Sequence, residues 1–380
     1  MFLALRELRL ARGRFTLMGI VIALISVLVV LLSGLSSGLV NDGVSGLKAM
    51  PATAFAFDEG TMKDNAFSRS VVDDDQLAAW QEADGIAAAE PMGVTIVNGV
   101  TRDGTQIDLT LFGVQPEGFL SPEVSSGDGL GAVGGIVVSE PLREQGVELG
   151  TVVVLDRLDL QLTVVGFTKG QATFGHVDVA YVPVDTWKLI ASGMSEPGEP
   201  TRAQIDALDF PYSSVVAMLA EDGTAPDLAA IDAQAGTTTM TLTEAFNASP
   251  GYEAETLTLS MIQIFLYVIC ALVVGAFFTV WTIQRTHDIA VLRAVGASSR
   301  YLLRDSLAQA AILLVAFTAI GVATGVGLGA AMPEAMPFDL EAAPIALASG
   351  LTIVLGLIGA AIAVLRITRI DPINALGGQR

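Results

Sequence analysis

The segment Trp281–Asp305, WTIQRTHDIAVLRAVGASSRYLLRD, is a charged island between two long apolar runs, and its reading decides the fold. Upstream Thr258–Ile283 and downstream Ser306–Met332 each hold at most one ionisable carboxylate or base. Each also exceeds the roughly 20 residues that cross a hydrocarbon core about 30 Å thick. Both read as membrane spans. Inside the island Arg285, Arg293, Arg300 and Arg304 outnumber Asp288 and Asp305, and short loops rich in Arg stay on the cytoplasmic side. The island is expected to face the cytoplasm.

Its internal pattern is helical. Ile283, Ile289, Leu292 and Val295 lie on one apolar stripe, with Arg285, Asp288 and Arg293 beside it, and Gly296 stands where a helix ends in a left-handed cap. Ser298 and Ser299 offer N-caps for a further short helix, Arg300–Asp305, that leads into the next span. A helix, a glycine stop and a second helix make a stiff knob at the cytoplasmic surface.

Working outward, two more apolar runs, Phe15–Leu39 and Pro344–Leu365, complete a set of four spans, at 15–39, 257–283, 306–332 and 344–365. A polar block, 40–256, separates the first from the second, and a short outer loop, 333–343, separates the last two. Arg6, Arg9, Arg12 and Arg14 in segment 1–14, the arginines of 284–305, and Arg366, Arg369 and Arg380 in the tail 366–380 mark the cytoplasmic side. The polar block holds 9 bases against 33 carboxylates, a net charge of −24. It belongs outside. The chain therefore reads as a multi-pass protein of the cytoplasmic membrane, both termini cytoplasmic and the large domain extracellular. The acidity reads as solvation of that domain, and no nucleic-acid partner is expected.

The first run is too long for a signal-peptide apolar region, and Ser33–Gly38 has no A-x-A-like cleavage site, so it reads as an uncleaved anchor. Before it, Leu3, Leu5, Leu8 and Leu10 alternate with Arg6, Glu7 and Arg9, an amphipathic segment suited to the lipids of the inner leaflet. Cys270 is the single cysteine, inside a span, where its role is packing.

The polar block reads as a mixed α+β domain. Val72–Ala83 is expected to be a short helix with an acidic start. Strands are expected at Val94–Val100, Thr105–Val114, Gly135–Val138, Thr151–Leu155, Gln161–Phe167 and Val179–Val182. The Gly/Ser-rich stretch Gly118–Gly135 and the Pro-containing Ser192–Thr201 are expected to be flexible loops, and Asp227–Ala235 and Leu242–Ala248 helices of a smaller lobe feeding the second span.

No enzyme signature appears. G-x-S-x-G and H-E-x-x-H are absent, and His176 and His287 are the only histidines. His176 reads as a surface or hydrogen-bonding residue rather than a catalytic one. The P-loop pattern is also absent, so energy must come from a separate subunit, and no intrinsic cofactor is expected. Gly321, Gly325 and Gly329, the Gly34–Gly38 pair and the Gly356–Ala360 pair allow close helix approach, either within one chain or along a dimer seam. No span carries a charge relay of the kind used by ion-coupled carriers.

The order basic helix, span, large outer domain, then three spans with an island after the second, resembles the permease subunits of the MacB and FtsX superfamily of ABC transporters. The likeness is most specific in DIAVLRAVGASSRYLLR, similar to the family's E-I-x-x-L-K/R-A-x-G-A-S segment with Asp288 where Glu is usual. RITRIDPINALGG at the C-terminus, GIVVSEPLREQGVELGTVVVL and LTVVGF support it. The resemblance implies a coupling helix, with Asp288, Ile289, Leu292, Arg293, Val295, Gly296 and Ser298 docking on a separate P-loop ATPase subunit, and a homodimeric permease. It also implies that the chain is not an enzyme by itself.

A narrower resemblance is to the haem-efflux permeases of Gram-positive bacteria, carried by PGYEAETLTLSMIQIFLYVI, Pro250–Ile269. It implies haem as substrate. Haem iron takes Tyr, Met or His ligands, and carboxylates less commonly. Tyr252, Glu253, Glu255 and Met261 cluster at the outer mouth of the second span, and Met332 and Met336 at that of the third, with Glu255 and Tyr252 the foremost iron-ligand candidates. The plain alternative is that Tyr252 is an interfacial belt residue, the carboxylates are solvated and the methionines pack. Two functional alternatives stand beside export: a mechanotransmitter that regulates an extracellular cell-wall hydrolase, and a sensor or exporter of antimicrobial peptides.

Overall fold

The first apolar run forms helix α1 (Arg12–Lys48), 37 residues long. It does not end where the apolar run ends at Leu39. Gly43, Val44, Gly46 and Leu47 continue a buried stripe at helical spacing, and the helix runs on to Lys48. The structure, a computed structural model, describes residues 12–284, 291, 298–333 and 336–368. These fall into two units: Val40–Glu255, and the segments on either side, up to Leu39 and from Thr256.

The Val40–Glu255 unit is built on one 11-stranded mixed sheet. In chain order its strands are β1 (Ala54–Asp58), β2 (Ile86–Thr101), β3 (Gln106–Val114), β4 (Val124–Gly127), β5 (Gly135–Val138) and β6 (Val152–Leu155). They continue with β7 (Gln161–Thr168), β8 (Thr173–Phe174), β9 (Val177–Pro183), β10 (Val215–Ala220) and β11 (Thr237–Thr241). Three helices of eight or nine residues accompany them, besides shorter ones: α2 (Asp74–Gln81), α3 (Val184–Ser192) and α4 (Leu228–Ala235).

Strand β2, at 16 residues, organises the whole. Its first half pairs antiparallel with β10, Met92 opposite Val215. Its second half pairs with β3, Gly93 opposite Gly113, and its last residues reach β6, Gly99 opposite Leu155. The order β2-β3-β9-β5-β7-β6 then returns to β2, a closed ring of six strands with β3–β9 and β5–β7 parallel. Closure leaves no edge on this side. Leu109, Leu111, Ile136, Val153, Leu162 and Val164 form its apolar core. The strands β11-β1-β10 extend from the first half of β2 as an open wing, with Trp80 of α2 buried against Ala54, Ala56 and Val216.

The glycine pair Gly93–Gly113 explains how α3 is seated. A methyl at either position would collide with the Trp187 side chain, which lies on this strip of bare backbone and donates from Nε1 to Thr95 Oγ1 at 3.0 Å. Helix α2 is set by a capping box. The Asp73 carboxylate accepts from Gln76 N at 2.9 Å, and Gln76 Oε1 accepts from Asp73 N at 3.0 Å.

Several expectations change. Val72 and Asp73 are not helical; they pair with Ser213 and Tyr212 as a small ribbon, and the helix starts at Asp74, two residues later than expected. The stretch Gly118–Gly135 is not one long loop, because Val124–Gly127 forms edge strand β4 along β7. Strands β1 and β10 carried no alternation to reveal them: Ala54–Phe57 and Val215–Met218 are buried on both faces, so their sequences read as short apolar runs.

In the other unit, α1 packs with α5 (Tyr252–Gln284), α6 (Ser299–Gly329) and α7 (Ala342–Thr368), each long and apolar enough to cross a membrane. Their core joins Ile22 and Ile25 to Cys270, Val274, Leu314 and Val364. The glycine repeat packs within the chain. A methyl on Gly321 would stand 2.5 Å from the Ala23 carbonyl oxygen, and one on Gly325 would stand 2.9 Å from Val30 Cβ. The Gly34 carbonyl accepts from Asp339 N at 3.0 Å, which ties the segment between α6 and α7 to α1. Ser298 caps α6, accepting from Tyr301 N at 3.3 Å, and the helix then runs unbroken to Gly329. Arg300–Asp305 is thus the first part of the span helix and not a separate one. Of the coupling residues only Ser298 is described; Asp288, Ile289, Leu292, Arg293, Val295 and Gly296 lie outside the described residues.

Candidate functional site

Strands β8 and β9 are joined by the two residues Gly175 and His176, with Phe174 opposite Val177. A two-residue hairpin that matches strand twist requires positive φ at both central positions. Here φ is 60° at Gly175 and 64° at His176. Histidine is among the residues enriched in that region, so the turn places an imidazole at its tip.

This tip is held to α1. Gly175 N donates to the Gly43 carbonyl at 2.9 Å, and Ser249 Oγ donates to the same carbonyl at 3.0 Å. Ser45 Oγ accepts from Thr173 N at 2.9 Å. Three separate segments, the extension of α1, the β8–β9 hairpin and the lead into α5, therefore meet at one carbonyl oxygen.

At this junction His176 stands between two carboxylates. Its Nδ1 lies 2.8 Å from Asp42 Oδ2, and its Nε2 lies 3.0 Å from Glu255 Oε2 and 3.2 Å from Oε1. Asp42 Oδ1 accepts from Gln171 Nε2 at 3.1 Å. A carboxylate only accepts, so both ring nitrogens must donate, and the arrangement is satisfied by the imidazolium alone. Burial would lower the pKa of His176, but the hydrogen bond to Asp42 and the charge of Glu255 outweigh it and hold the ring above its ordinary value. The three side chains are 28–39% exposed, so water still reaches the cluster. Because the carboxylates sit on opposite edges of the ring they do not converge on a point, and among the described residues no group of His, Cys, Asp and Glu is arranged to hold a metal ion.

The sequence-identified residues are distributed as follows. Tyr252, Glu253 and Glu255 occupy the first turn of α5, where carboxylates complement the helix dipole. Gly251, at φ 77°, starts that turn and its carbonyl accepts from Glu255 N at 3.0 Å. The Tyr252 ring meets Phe246 edge-on, centroids 6.2 Å apart. Met261 and Met336 are exposed in the membrane unit, and Met332 is half-buried at the turn that ends α6. Glu255 is thus not simply solvated. His176 and Asp42 are additions that the linear sequence did not bring to Glu255; the one local signal was Phe-Gly-His-Val, a two-residue turn between β-formers.

The same unit holds a cavity of about 350 Å³ between Met50, Phe119, Leu120 and Tyr181, with Lys169 and Glu123 paired at 3.2 Å beside it. Gln171, whose Nε2 donates to Asp42, lines it, whereas His176, Asp42 and Glu255 do not.

Comparison with known proteins agrees with this architecture. Residues 15–235 match the MacB-like periplasmic core domain, and residues 260–372 match the FtsX-like permease C-terminal. Over its full length the chain is 25% identical to the "Putative hemin transport system permease protein HrtB" of Staphylococcus haemolyticus, with 100% of both chains covered. The HrtB of Staphylococcus epidermidis is also 25% identical, with 100% of this chain and 99% of the relative covered. An ABC transporter permease of Mycobacterium tuberculosis is 23% identical over the same shares. Among solved structures, the periplasmic region of MacB from Actinobacillus actinomycetemcomitans aligns with 52% of this chain and 92% of its own at 13% identity, TM-score 0.37. The extracellular domain of YknZ from Gram-positive bacteria aligns with 50% and 98% at 14% identity, TM-score 0.35. The chain belongs to the MacB/FtsX-type family of ABC transporter permeases.

Proposed function

We propose that the chain is the permease subunit of an ATP-driven exporter that draws haem from the outer part of the membrane. The observation that carries this reading is the end-to-end similarity to hemin transport permeases, with Tyr252, Glu253 and Glu255 on the first turn of α5. A membership in this family implies a separate ATPase subunit, and the absent P-loop agrees with that division of labour. The permease would act as a homodimer, with both termini and the Arg-rich island in the cytoplasm and the acidic domain outside, as the charge distribution requires.

In this reading ATP binding by the partner brings two coupling islands together, and α5, continuous from Tyr252 to Gln284, transmits the motion outward. A flat apolar molecule dissolved in the bilayer would be taken by Glu255 and Tyr252 as iron ligands. Met261, Met332 and Met336 are secondary candidates, polarizable side chains suited to an apolar ring. The test is spectroscopic. The purified full-length chain should develop a bound-haem absorption band that Glu255→Ala and Tyr252→Ala weaken; an unchanged band in both variants refutes these ligands, and absence of any band in the wild type refutes haem.

A further inference from the structure

Helices α6 and α7 pack closely where a methyl on Gly356 would stand 2.7 Å from Leu314 Cδ2. Beside that contact the two helices leave a groove of about 570 Å³. Ala308 and Ala311 of α6 and Ala361 of α7 line it, so short side chains leave space that longer ones would fill. Val354 and Ile358 complete the apolar lining, and each is about half exposed. From Arg304 to Ala311 the groove runs about 10 Å along α6, at 1.5 Å per residue. An apolar groove alone selects nothing in a membrane, because lipid tails are as apolar as the side chains that face them.

What selects is the charge at one end. Arg304 lines the groove, and the apolar span in α6 begins at Leu303, so this guanidinium stands at the boundary between hydrocarbon and water. Arg300 lies four residues earlier on the same helix face, and both arginines are exposed. Neither forms an ion pair among the described residues. The neighbouring carboxylate does not neutralise them: Asp305 accepts from Gln309 Nε2 at 3.0 Å, and Gln309 is buried. Two like charges at i and i+4 repel, and an anion shared between them removes that cost. Guanidinium groups suit phosphate because two N–H donors meet two oxygens at once. Exposed Tyr301 stands beside them, an aromatic residue of the kind enriched at the headgroup level.

We propose that the α6–α7 groove is a binding site for one anionic phospholipid, whose headgroup phosphate is held by Arg304 and Arg300 and whose acyl chain lies along Ala308, Ala311 and Ala361. The apolar groove and the unpaired cations at its end match the two parts of such a molecule. A zwitterionic phospholipid brings its own cation next to the arginines and fits less well. The site lies wholly within the membrane unit, so it stands or falls independently of haem and of the outer domain.

The experiment places the full-length chain in nanodiscs of phosphatidylglycerol and phosphatidylcholine in equal amounts, with identical acyl chains, and reads the lipid that stays bound by native mass spectrometry. The wild type should retain phosphatidylglycerol over phosphatidylcholine by about tenfold, the size of one charge-assisted hydrogen bond. The double variant Arg300→Gln with Arg304→Gln should lose that preference; an undiminished preference overturns the assignment. Ala308→Leu fills the groove without touching a charge and should lower phosphatidylglycerol retention about as far. If it instead changes the number of protomers in the spectrum and leaves bound phosphatidylglycerol unchanged, the groove is a seam between copies and the lipid site is overturned. A second readout guards against a folding defect. The unfolding temperature of the wild type should rise with the phosphatidylglycerol fraction of the nanodisc, whereas that of the double arginine variant should not; equal rises overturn the site.

Discussion

His176 Nε2 lies 3.0 Å from Glu255 Oε2, joining residues 79 apart in the chain at the first turn of α5. The contact makes the acidic first turn of α5 part of the domain's own bonding rather than a free acidic surface. It also places the first turn of α5 under the direct hold of a titratable group.

Removing the other carboxylate should shift that hold. Asp42→Ala deletes the hydrogen bond that raises the His176 pKa, so the upper end of the pH range over which the haem-free unfolding temperature falls should move down toward the ordinary histidine value, and the total fall should shrink. Unfolding followed by tryptophan fluorescence at several pH values reads this directly; a profile identical to the wild type contradicts it.

The seat of α3 gives a stability prediction that does not involve the site. Gly93→Ala puts a methyl into the space of the Trp187 ring, in a strand paired across to Gly113. Overpacking of this kind costs about 1–3 kcal/mol, which thermal or denaturant unfolding should show as a lowered midpoint. Asp73→Ala, which removes the α2 capping box, should cost about 1 kcal/mol by the same measurement.

Packing of α1 on α6 can be tested by a contrast within one helix. Gly321→Leu should disrupt the approach to Ala23 and Ser26 and lower the yield of detergent-stable protein. Gly327→Ala meets nothing within 4 Å and should be neutral or slightly stabilising. Similar losses from both would mean that helix propensity, not the α1 contact, governs this region.

The coupling reading predicts a loss of function without loss of folding. Leu292→Asp or Gly296→Pro should abolish export and substrate-stimulated ATP hydrolysis by the assembled complex while leaving membrane insertion normal. Normal transport by both variants would remove the island's role.

The four long apolar helices were legible because membrane spans need long uninterrupted apolar runs. Strands β3, β5 and β7 were legible from β-rich composition between turns. Strands β1 and β10 were not, because burial on both faces removes the alternation that marks a strand. The extension of α1 beyond Leu39 was hidden for a related reason: Val44 and Leu47 follow helical spacing, but Asn41, Asp42 and Gly43 read as a polar exit from the membrane. The acidic turn at Tyr252–Glu255 was visible as a local cluster. Its partner was not, since Asp42 and His176 are 134 residues apart and only the folded sheet brings them together.

The most direct test of the account is haem transfer by the complete complex. The chain and its ATPase subunit, reconstituted in haem-loaded proteoliposomes with an external haem acceptor, should move haem to the acceptor on addition of ATP to the cytoplasmic face, and Glu255→Ala should abolish transfer while preserving assembly with the ATPase. ATP hydrolysis without transfer in the wild type, or undiminished transfer by Glu255→Ala, would contradict it.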